Sequence, residues 1–570
     1  MAFSRPVAVL EARRHEEVLP VLGELETAGR RGLAVAGFLT YEAAPGLDGA
    51  LVTRPPGALP LAWFATFGEV READLPPGGA WDAGPWTPSL SAEEHCRRLD
   101  RIRRAIAGGE TYQVNLTFRM RAPFDGDPLG LFTELFRAQP TPHAAFVDLG
   151  RHALCSLSPE LFFEQQGARL TVRPMKGTAP RGVDLEEDAR RAAGLASSEK
   201  ERAENVMVVD LLRNDLGRIA RAGSVRVTRL FDVERYDTVF QMTSTVEAET
   251  AASLPAILAA LFPSGSVTGA PKVRTMALIA DLEDAPRGAY TGAIGYALPD
   301  GRRRFNVAIR TVHVDREAGI AEYGTGGGIV WDSRTGPEYT EALTKARILT
   351  ARRPEFSLLE TLRWEPGQGF FLLERHLGRL AASARYFDLA IDPSAVRARL
   401  AEAVAGLPPA VHRVRLVASE REISVEATLL EEDRRPWRVA LARQPVRRED
   451  RFLYHKTTWR RTYEEALAAV PGADDVLLWN EAGELTEATR ASLVVELDGR
   501  RWTPPVSCGL LPGTFRAELL ARGEVAERQI RIADLPRLDR LWLVNSLRRW
   551  IPAELAPPPA LRLTTTRASA

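Results

Sequence analysis

The sequence predicts a mixed α/β chain made of two unlike globular parts in series. Three observations carry this. Glycine-punctuated strand-like runs (AYTGAIGYAL, 289–298; RFNVAIRTVHV, 304–314; AEYGTGGGIVW, 321–331) alternate with helical patterns. At ARRPEFS (351–357) the rhythm resets and a new strand-and-turn pattern begins. No internal repeat relates the two halves, so they read as a fusion of two proteins.

The bulk composition bounds what such a chain can be. Its 570 residues allow two to four domains. Hydrophobic residues make up 45% and charged residues 26%, as in an ordinary globular protein. Lys plus Arg and Asp plus Glu both number 75, so no global field points to nucleic acid or to an anionic membrane. The three cysteines, Cys96, Cys155 and Cys508, lie far apart with no CxxC, which argues against a disulfide framework or a zinc site and fits a reducing cytoplasm. Neither a signal peptide nor a membrane-spanning run is expected. The eight histidines form no HxxxH or HExxH pattern.

Residues 1–90 read as strands and turns, because short apolar runs alternate with Gly/Pro clusters. Residues 91–107 form a helix with a capping box at Ser91 and Glu94. The stretch 197–220 is the clearest helix, capped by Ser197 or Ser198, with Met207, Val208, Leu211 and Leu212 as its apolar stripe. A further helix runs from about Pro337 to Leu349. After the boundary, FSLLETLRWEPGQGFFLLE is a strand with a reverse turn, and HLGRLAASARYFDL is a helix. The expected divisions are 1–90 (amino-terminal part), 91–350 (catalytic domain), 351–356 (linker), 357–555 (second domain) and 556–570 (frayed tail).

Several residues can carry chemistry. Glu201 and Glu204 share one helix face at i,i+3, as do Glu338 and Glu341, with Lys345 one turn beyond Glu341. Two acidic edges without histidine or cysteine suit Mg2+, which takes oxygen ligands and keeps several waters. Two solvated amphipathic helices would show the same spacing. GTGGGIV (324–330) allows backbone amides to approach an anion, or is a plain glycine-rich bend. FPSGSVTGAPK (262–272) reads as an anion cradle or as an ordinary loop. Lys176, in the turn-like RPMKGTAPRG, and Lys456, in HKTTWR, each have a solvated surface lysine as the alternative.

IAGGETYQVNLT, SLSPELFF, RPMKGTAPRG, EKERAENVMVVDLLRNDLGR, FPSGSVTGAPK, AYTGAIGY and GTGGGIVWDS occur in this order over about 240 residues. Together they resemble the chorismate-binding enzymes: anthranilate, aminodeoxychorismate, isochorismate and salicylate synthases. GFLTYEAA (37–44) resembles the amino-terminal part of the ammonia-using members. The resemblance implies an α/β sandwich of antiparallel sheets around a Mg2+-dependent chorismate site. Gln113 stands where the water-adding members carry a lysine base. Lys176 matches the lysine of the aminodeoxychorismate synthases, where anthranilate synthases usually carry alanine. By the same resemblance Lys176 is a nucleophile, Glu160 the general acid, and Glu204 and Glu341 the metal ligands. Thr178, Arg310, Lys345 and the amides of Gly326, Gly327 and Gly328 are expected to bind substrate. Many relatives have histidine where Gln241 stands, which leaves its role open.

LLERHLGRL (372–380), GELTEATRASLVV (483–495), TPPVSCGLLPGTFR (503–516) and LVNSLRRW (543–550) surround Lys456. In order they resemble the fold-type IV pyridoxal-phosphate enzymes: branched-chain and D-amino-acid aminotransferases and aminodeoxychorismate lyase. The resemblance makes Lys456 the lysine that binds the cofactor's aldehyde, and Glu487 the carboxylate beside its ring nitrogen. Arg379, Gly513 and Thr514 become the phosphate cradle; a plain surface pair is the alternative for Glu487 and Arg379. Ser492 stands where relatives usually have asparagine.

The fusion implies amination of chorismate to 4-amino-4-deoxychorismate, then loss of pyruvate to give 4-aminobenzoate, for folate or for an antibiotic pathway. No cysteine sits in a glutaminase setting, so the resemblance implies a separate glutamine amidotransferase subunit or free ammonia. A homodimer through the second half is compatible with this reading. The alternatives are an anthranilate synthase-like first half joined to an aminotransferase, and a degenerate second half that only docks the glutaminase.

Overall fold

The structure is a computed structural model that describes residues 1–350, 354–431 and 435–556. Half of the expected linker, 351–353, and the tail 557–570 lie outside the described residues. The chain forms two compact units. One comprises Met1–Pro180 and Ala192–Arg353; the other comprises Arg181–Arg191 and Pro354–Ala570.

The first unit holds two large sheets whose strands all pair antiparallel. One runs in the order Met175–Pro180, Val239–Glu249, Arg169–Arg173, Leu161–Gln166, Arg303–Val307, Ala293–Ala297, Ala34–Leu39, Ala62–Phe67 and Ala8–Ala12. The other is centred on Gln113–Gly126 and Ile320–Ile329, which pair over ten positions. Phe38 and Ile294 from the first sheet and Leu154 from the second share one buried cluster, so the sheets face each other as a sandwich.

The chain changes sheets at two corners. His152–Ser156 lies in one sheet and Leu161–Gln166 in the other, so Leu157–Glu160 is the crossing. Likewise RFNVAIRTVHV, expected as one strand, is two: Arg303–Val307 and Thr311–Asp315, in different sheets. Arg310 makes that second corner with φ of 50°, a left-handed conformation that few non-glycine residues adopt. The corners bond to each other. The Leu157 amide donates to the Arg310 carbonyl at 3.0 Å, and the Val307 amide to the Glu160 carbonyl at 3.1 Å.

Residues 1–90 contain a helix, His15–Arg30, that the alternation of short apolar runs concealed. Pro20, Gly23 and Gly29 break its pattern in sequence, yet Val18, Val21, Leu22, Leu25 and Ala28 form a buried stripe. Glu17 accepts from the Arg13 and Arg14 amides and closes the amino-terminal turn. The later helices fall where the caps place them. Ser91 caps Ala92–Ala107 through the Glu94 amide, and Ser198 caps Glu199–Gly217 through the Glu201 amide. In the second of these the buried stripe is Val208, Val209, Leu212 and Leu216, with Met207 and Leu211 at its margin.

The second unit has a four-stranded antiparallel sheet centred on Leu358–Glu365 and His412–Ala418. Its eight-stranded mixed sheet has Trp437–Leu441 parallel to both Asp475–Trp479 and Arg549–Leu555. The helix Leu373–Phe387 packs on the small sheet through Leu377, Leu380 and Ala384.

Candidate active sites

Lys176 stands in a strand, not in a turn. Met175–Pro180 pairs with Val239–Glu249, with a register shift between Met175 and Thr178 where Gly177 takes φ of 101°. The bulge re-aims the lysine, and its Nζ lies 3.3 Å from Glu204 Oε2. Asn205, one residue along the helix from Glu204, donates to the Lys176 carbonyl at 3.3 Å, and Ser244 holds that amide in place at 2.5 Å. The lysine side chain is only 17% exposed. GTGGG lies inside the strand Ile320–Ile329, and its last glycine explains the run: a Cβ on Gly328 would sit 2.7 Å from Lys176 Nζ and 3.1 Å from Gln113 Nε2. Gln113 is buried, and neither atom of its carboxamide has a hydrogen-bond partner. An orphaned buried amide beside a lysine marks where a polar ligand belongs.

Only two of the three glycines offer free amides. The Asn115 and Thr117 amides donate to the Thr268 carbonyl and to Glu283, away from Ile320–Ile329. Their register partners Gly328 and Gly326 are therefore the non-hydrogen-bonded pairs, whose own amides face the open edge. Lys345 donates to the Gly326 carbonyl at 3.0 Å on that edge. Gly327 sits opposite Leu116 and uses its amide in the ladder, which corrects the expectation that all three amides bind substrate.

Glu160 sits at the first corner, buried, and accepts from Ser266 Oγ at 2.6 Å. That bond gives FPSGSVTGAPK its role at the site. The lysine of that segment, Lys272, is engaged elsewhere, with Asp215 at 2.9 Å. Burial pushes the Glu160 carboxyl up to about 7, although Ser266 and the charge of Lys176 both pull it down. Thr178 bonds to Gln241 at 3.2 Å, and Gln241 donates to the Gly177 carbonyl at 3.0 Å, so Gln241 fixes the bulge. Arg310 shares the paired corners with Glu160 through its backbone, while its guanidinium donates to Gln139.

The acidic edges meet around the lysines. Burial raises the Glu341 carboxyl, but Lys345 at 2.9 Å, with Lys176 and Lys200, outweighs it and holds the group below its usual value. Glu201 is raised, by burial and by the neighbouring charge of Glu204. Among the described residues no cluster of three or more His, Cys, Asp or Glu could hold a metal alone. Two helical carboxylates completed by substrate and water is the arrangement that Mg2+ accepts, and this donor set is all oxygen.

In the second unit, burial lowers the Lys456 amine to about 8, assisted by Arg379 and opposed by Glu360. The Lys456 carbonyl accepts from the Leu359 amide at 2.9 Å, which fixes its backbone to the small sheet. Glu487 is buried and raised to about 7 by burial, against bonds from the Leu511 amide at 3.0 Å and Tyr463 Oη at 2.8 Å. A protonated ring nitrogen placed against this carboxyl would offset the cost of burying its charge. At Gly513, a Cβ would fall 2.5 Å from Ser492 Oγ, so glycine keeps a space open there. Gly513 caps the helix Thr514–Ala521 without any side-chain bond. An open helix start beside a glycine cradle fits a phosphate. Arg379 is not free to act alone: its Nε and Nη2 bond to Glu360 at 2.8 and 2.6 Å. Glu360 also meets His376 at 2.6 Å, and His376 meets Thr514 Oγ1 at 3.3 Å. Burial opposes the charge on Glu360, but Arg379 and His376 hold it near 2. Glu360, His376 and Tyr463 were not found in the sequence; ETL and RHLGRL carried the first two as ordinary strand and helix residues.

Comparison with known proteins follows this division. The model of the chorismate binding enzyme family matches residues 4–351. The chain belongs to the chorismate-binding enzymes. Residues 357–555 match the class IV amino-transferase family. Aminodeoxychorismate synthase component 1 of Klebsiella aerogenes is 44% identical over 267 residues, 46% of this chain and 59% of that protein. Anthranilate synthase component 1 of Streptomyces coelicolor is 41% identical over 273 residues, 47% of this chain and 53% of that protein. The chain thus spans less than two thirds of the length of these curated relatives. The crystal structure of anthranilate synthase component I from Streptococcus pneumoniae superposes with a TM-score of 0.53 at 26% identity, covering 61% of this chain and 91% of that one. Chorismate-binding enzymes use Mg2+ and class IV amino-transferase domains carry pyridoxal phosphate; the carboxylates of the first unit fit the one, and Lys456, Glu487 and Gly513 fit the other. No helix among the described residues is long and apolar enough to cross a membrane.

Proposed function

We propose that the chain aminates chorismate at C4 and then removes pyruvate from the product, giving 4-aminobenzoate. The observation that carries this reading is Lys176 Nζ held between Glu204 and Gly328, close to the buried acid Glu160. In the first step the Lys176 amine adds at C2. Both ring double bonds shift, to C1=C6 and C4=C5, and the C4 hydroxyl leaves as water with the Glu160 proton. Ammonia then adds at C4 and returns its extra proton to Glu160, both double bonds go back to C1=C2 and C5=C6, and the C2–N bond breaks to free the lysine. Glu204 and Glu341 would hold Mg2+, which supplies a positive charge for the ring carboxylate. The Gly326 and Gly328 amides, Lys345, Thr178 and Arg310 would orient the substrate. Gln113 has no basic nitrogen, which disfavours water as the incoming group.

In the second step Lys456 would hold the cofactor by its aldehyde and, once the substrate amine is in place, would be the base that takes the C4 proton. Pyridoxal phosphate supplies an electron sink when bound. Pyruvate leaves from C3 and the ring becomes aromatic. Glu487 would hold a proton at the ring nitrogen, while Gly513, Thr514 and Arg379, the last oriented by Glu360, would hold the phosphate. The relatives named as component 1 support a separate glutamine amidotransferase partner as the source of ammonia. A homodimer through the second half belongs to the same reading.

The test is incubation with chorismate, ammonium, Mg2+ and pyridoxal phosphate. Production of 4-aminobenzoate and pyruvate is expected; anthranilate would overturn the reading. Glu160 sets the pH dependence of the first step. Its raised pKa keeps the acid form up to about 7. At constant free ammonia, the Glu160 limb of kcat/KM for chorismate therefore falls as pH rises through that value. Glu160→Gln removes this limb and lowers the rate by roughly 10²- to 10⁴-fold.

A further inference from the structure

The segment Arg181–Arg191 follows directly on the strand that carries Lys176 and Thr178, yet it groups with the second unit. Its bonds there are specific. Tyr386 Oη donates to the Gly182 carbonyl at 2.6 Å. Arg181 lies over the Tyr386 ring at 4.7 Å and donates to the Tyr386 carbonyl at 3.1 Å. Asp188 receives the Arg181 fork and the Gly182 amide, at 2.8 and 2.7 Å. Val183 and Leu185 join hydrophobic clusters of the second unit.

The segment ends its reach at the residue beside the cofactor lysine. The Val183 carbonyl meets His455 Nε2 at 3.0 Å, and Ser383 Oγ meets Nδ1 at 2.9 Å. Tyr386 stacks on the imidazole at 4.3 Å. Burial lowers His455 to about 4, against the bond from Val183, so the ring is neutral near neutral pH. A carbonyl can only accept. Nε2 therefore carries the proton, and Nδ1 accepts from the Ser383 hydroxyl. The ring has one tautomer and one orientation. His455 precedes Lys456, whose carbonyl is tied to Leu359 on its other side.

We propose that His455, locked between Val183 and Ser383, positions Lys456, and that the 181–191 segment is therefore part of the pyridoxal-phosphate site although it precedes the second half by more than 160 residues of chain. The inference rests on the assignment of Lys456 as the cofactor lysine.

The test uses the full-length holoenzyme and the visible circular-dichroism band of the lysine-bound cofactor, whose amplitude reports the geometry of that linkage. His455→Leu removes both ring bonds. It is expected to weaken the band at saturating cofactor and to lower pyruvate release from added aminodeoxychorismate by roughly 10- to 100-fold. Ammonia-dependent amination of chorismate is unchanged in the same protein, which shows that the chain is folded. His455→Gln, which can still donate to the Val183 carbonyl, recovers most of both signals. Tyr386→Phe removes the hydroxyl that donates to Gly182 and also meets Arg451, keeps the ring on His455, and shifts the band in the same direction. An unaltered band and lyase rate in His455→Leu and Tyr386→Phe overturn the proposal, as does a glutamine variant no better than leucine. If the leucine variant loses amination as well, the glutamine and phenylalanine variants decide by the same readings. Absence of any lysine-bound band in the parent overturns the assignment of Lys456 instead.

Discussion

Lys176→Ala is expected to cut ammonia-dependent consumption of chorismate on the order of 10²-fold or more, while aminodeoxychorismate supplied from outside is converted as fast as before. The size follows from the proposed covalent role of the lysine. Without it, ammonia must displace hydroxide from C4 directly, and one hard displacement replaces two easier allylic ones. The site is built around this amine. Gly328 has no room for a Cβ beside Nζ, Asn205 and Ser244 hold the lysine's backbone, and Glu204 lies 3.3 Å from the nitrogen. The strand pairs through its backbone, so alanine keeps the fold. Chorismate and product measured together check the result. A variant as fast as the parent with ammonium would remove the covalent role from Lys176 and leave it as a charge beside Glu204.

Lys456→Ala is expected to have the opposite effect. Release of pyruvate from aminodeoxychorismate falls by roughly 10²- to 10⁴-fold, and amination of chorismate continues at the parent rate. On the proposed roles two losses combine: the covalent hold on the cofactor and the base that takes the C4 proton. An amine lowered to about 8 is neutral in roughly a tenth of the molecules at pH 7, far more than an ordinary lysine, and both roles require the neutral form. Arginine would be a poor replacement, because its guanidinium stays charged. Loss of the visible band of the lysine-bound cofactor accompanies the loss of rate. Retention of the band in the alanine variant would place the cofactor's attachment elsewhere.

The parts of the fold governed by local rules were legible in the sequence. Ser91 and Ser198 mark helix starts because their side chains accept from amides that the helix leaves unpaired. Glu204 and Glu341 were legible as acidic helix edges. Long-range pairing decided what was not. GTGGG looks like a bend, but ten positions of pairing with Gln113–Gly126 hold it as a strand, and that register also decides which glycine amides are free. RPMKGT looks like a turn for the same reason: its glycine makes a bulge, not a reversal. The helix His15–Arg30 was hidden by Pro20, which burial of one face outweighs. Ser266, Asn205 and Glu360 reach the sites only through the tertiary fold. The departure of Arg181–Arg191 into the second unit has no local signal at all, since GVDLEEDARR reads as any polar loop leading to a helix.

The central claim is that nitrogen joins the ring at one lysine before pyruvate leaves at another. The most direct measurement is the mass and structure of what accumulates when the Lys456→Ala chain receives chorismate, Mg2+ and ¹⁵N-ammonium. The account predicts a labelled, non-aromatic amine at C4 that still carries its enolpyruvyl group. Labelled anthranilate, or chorismate left unchanged, would contradict it.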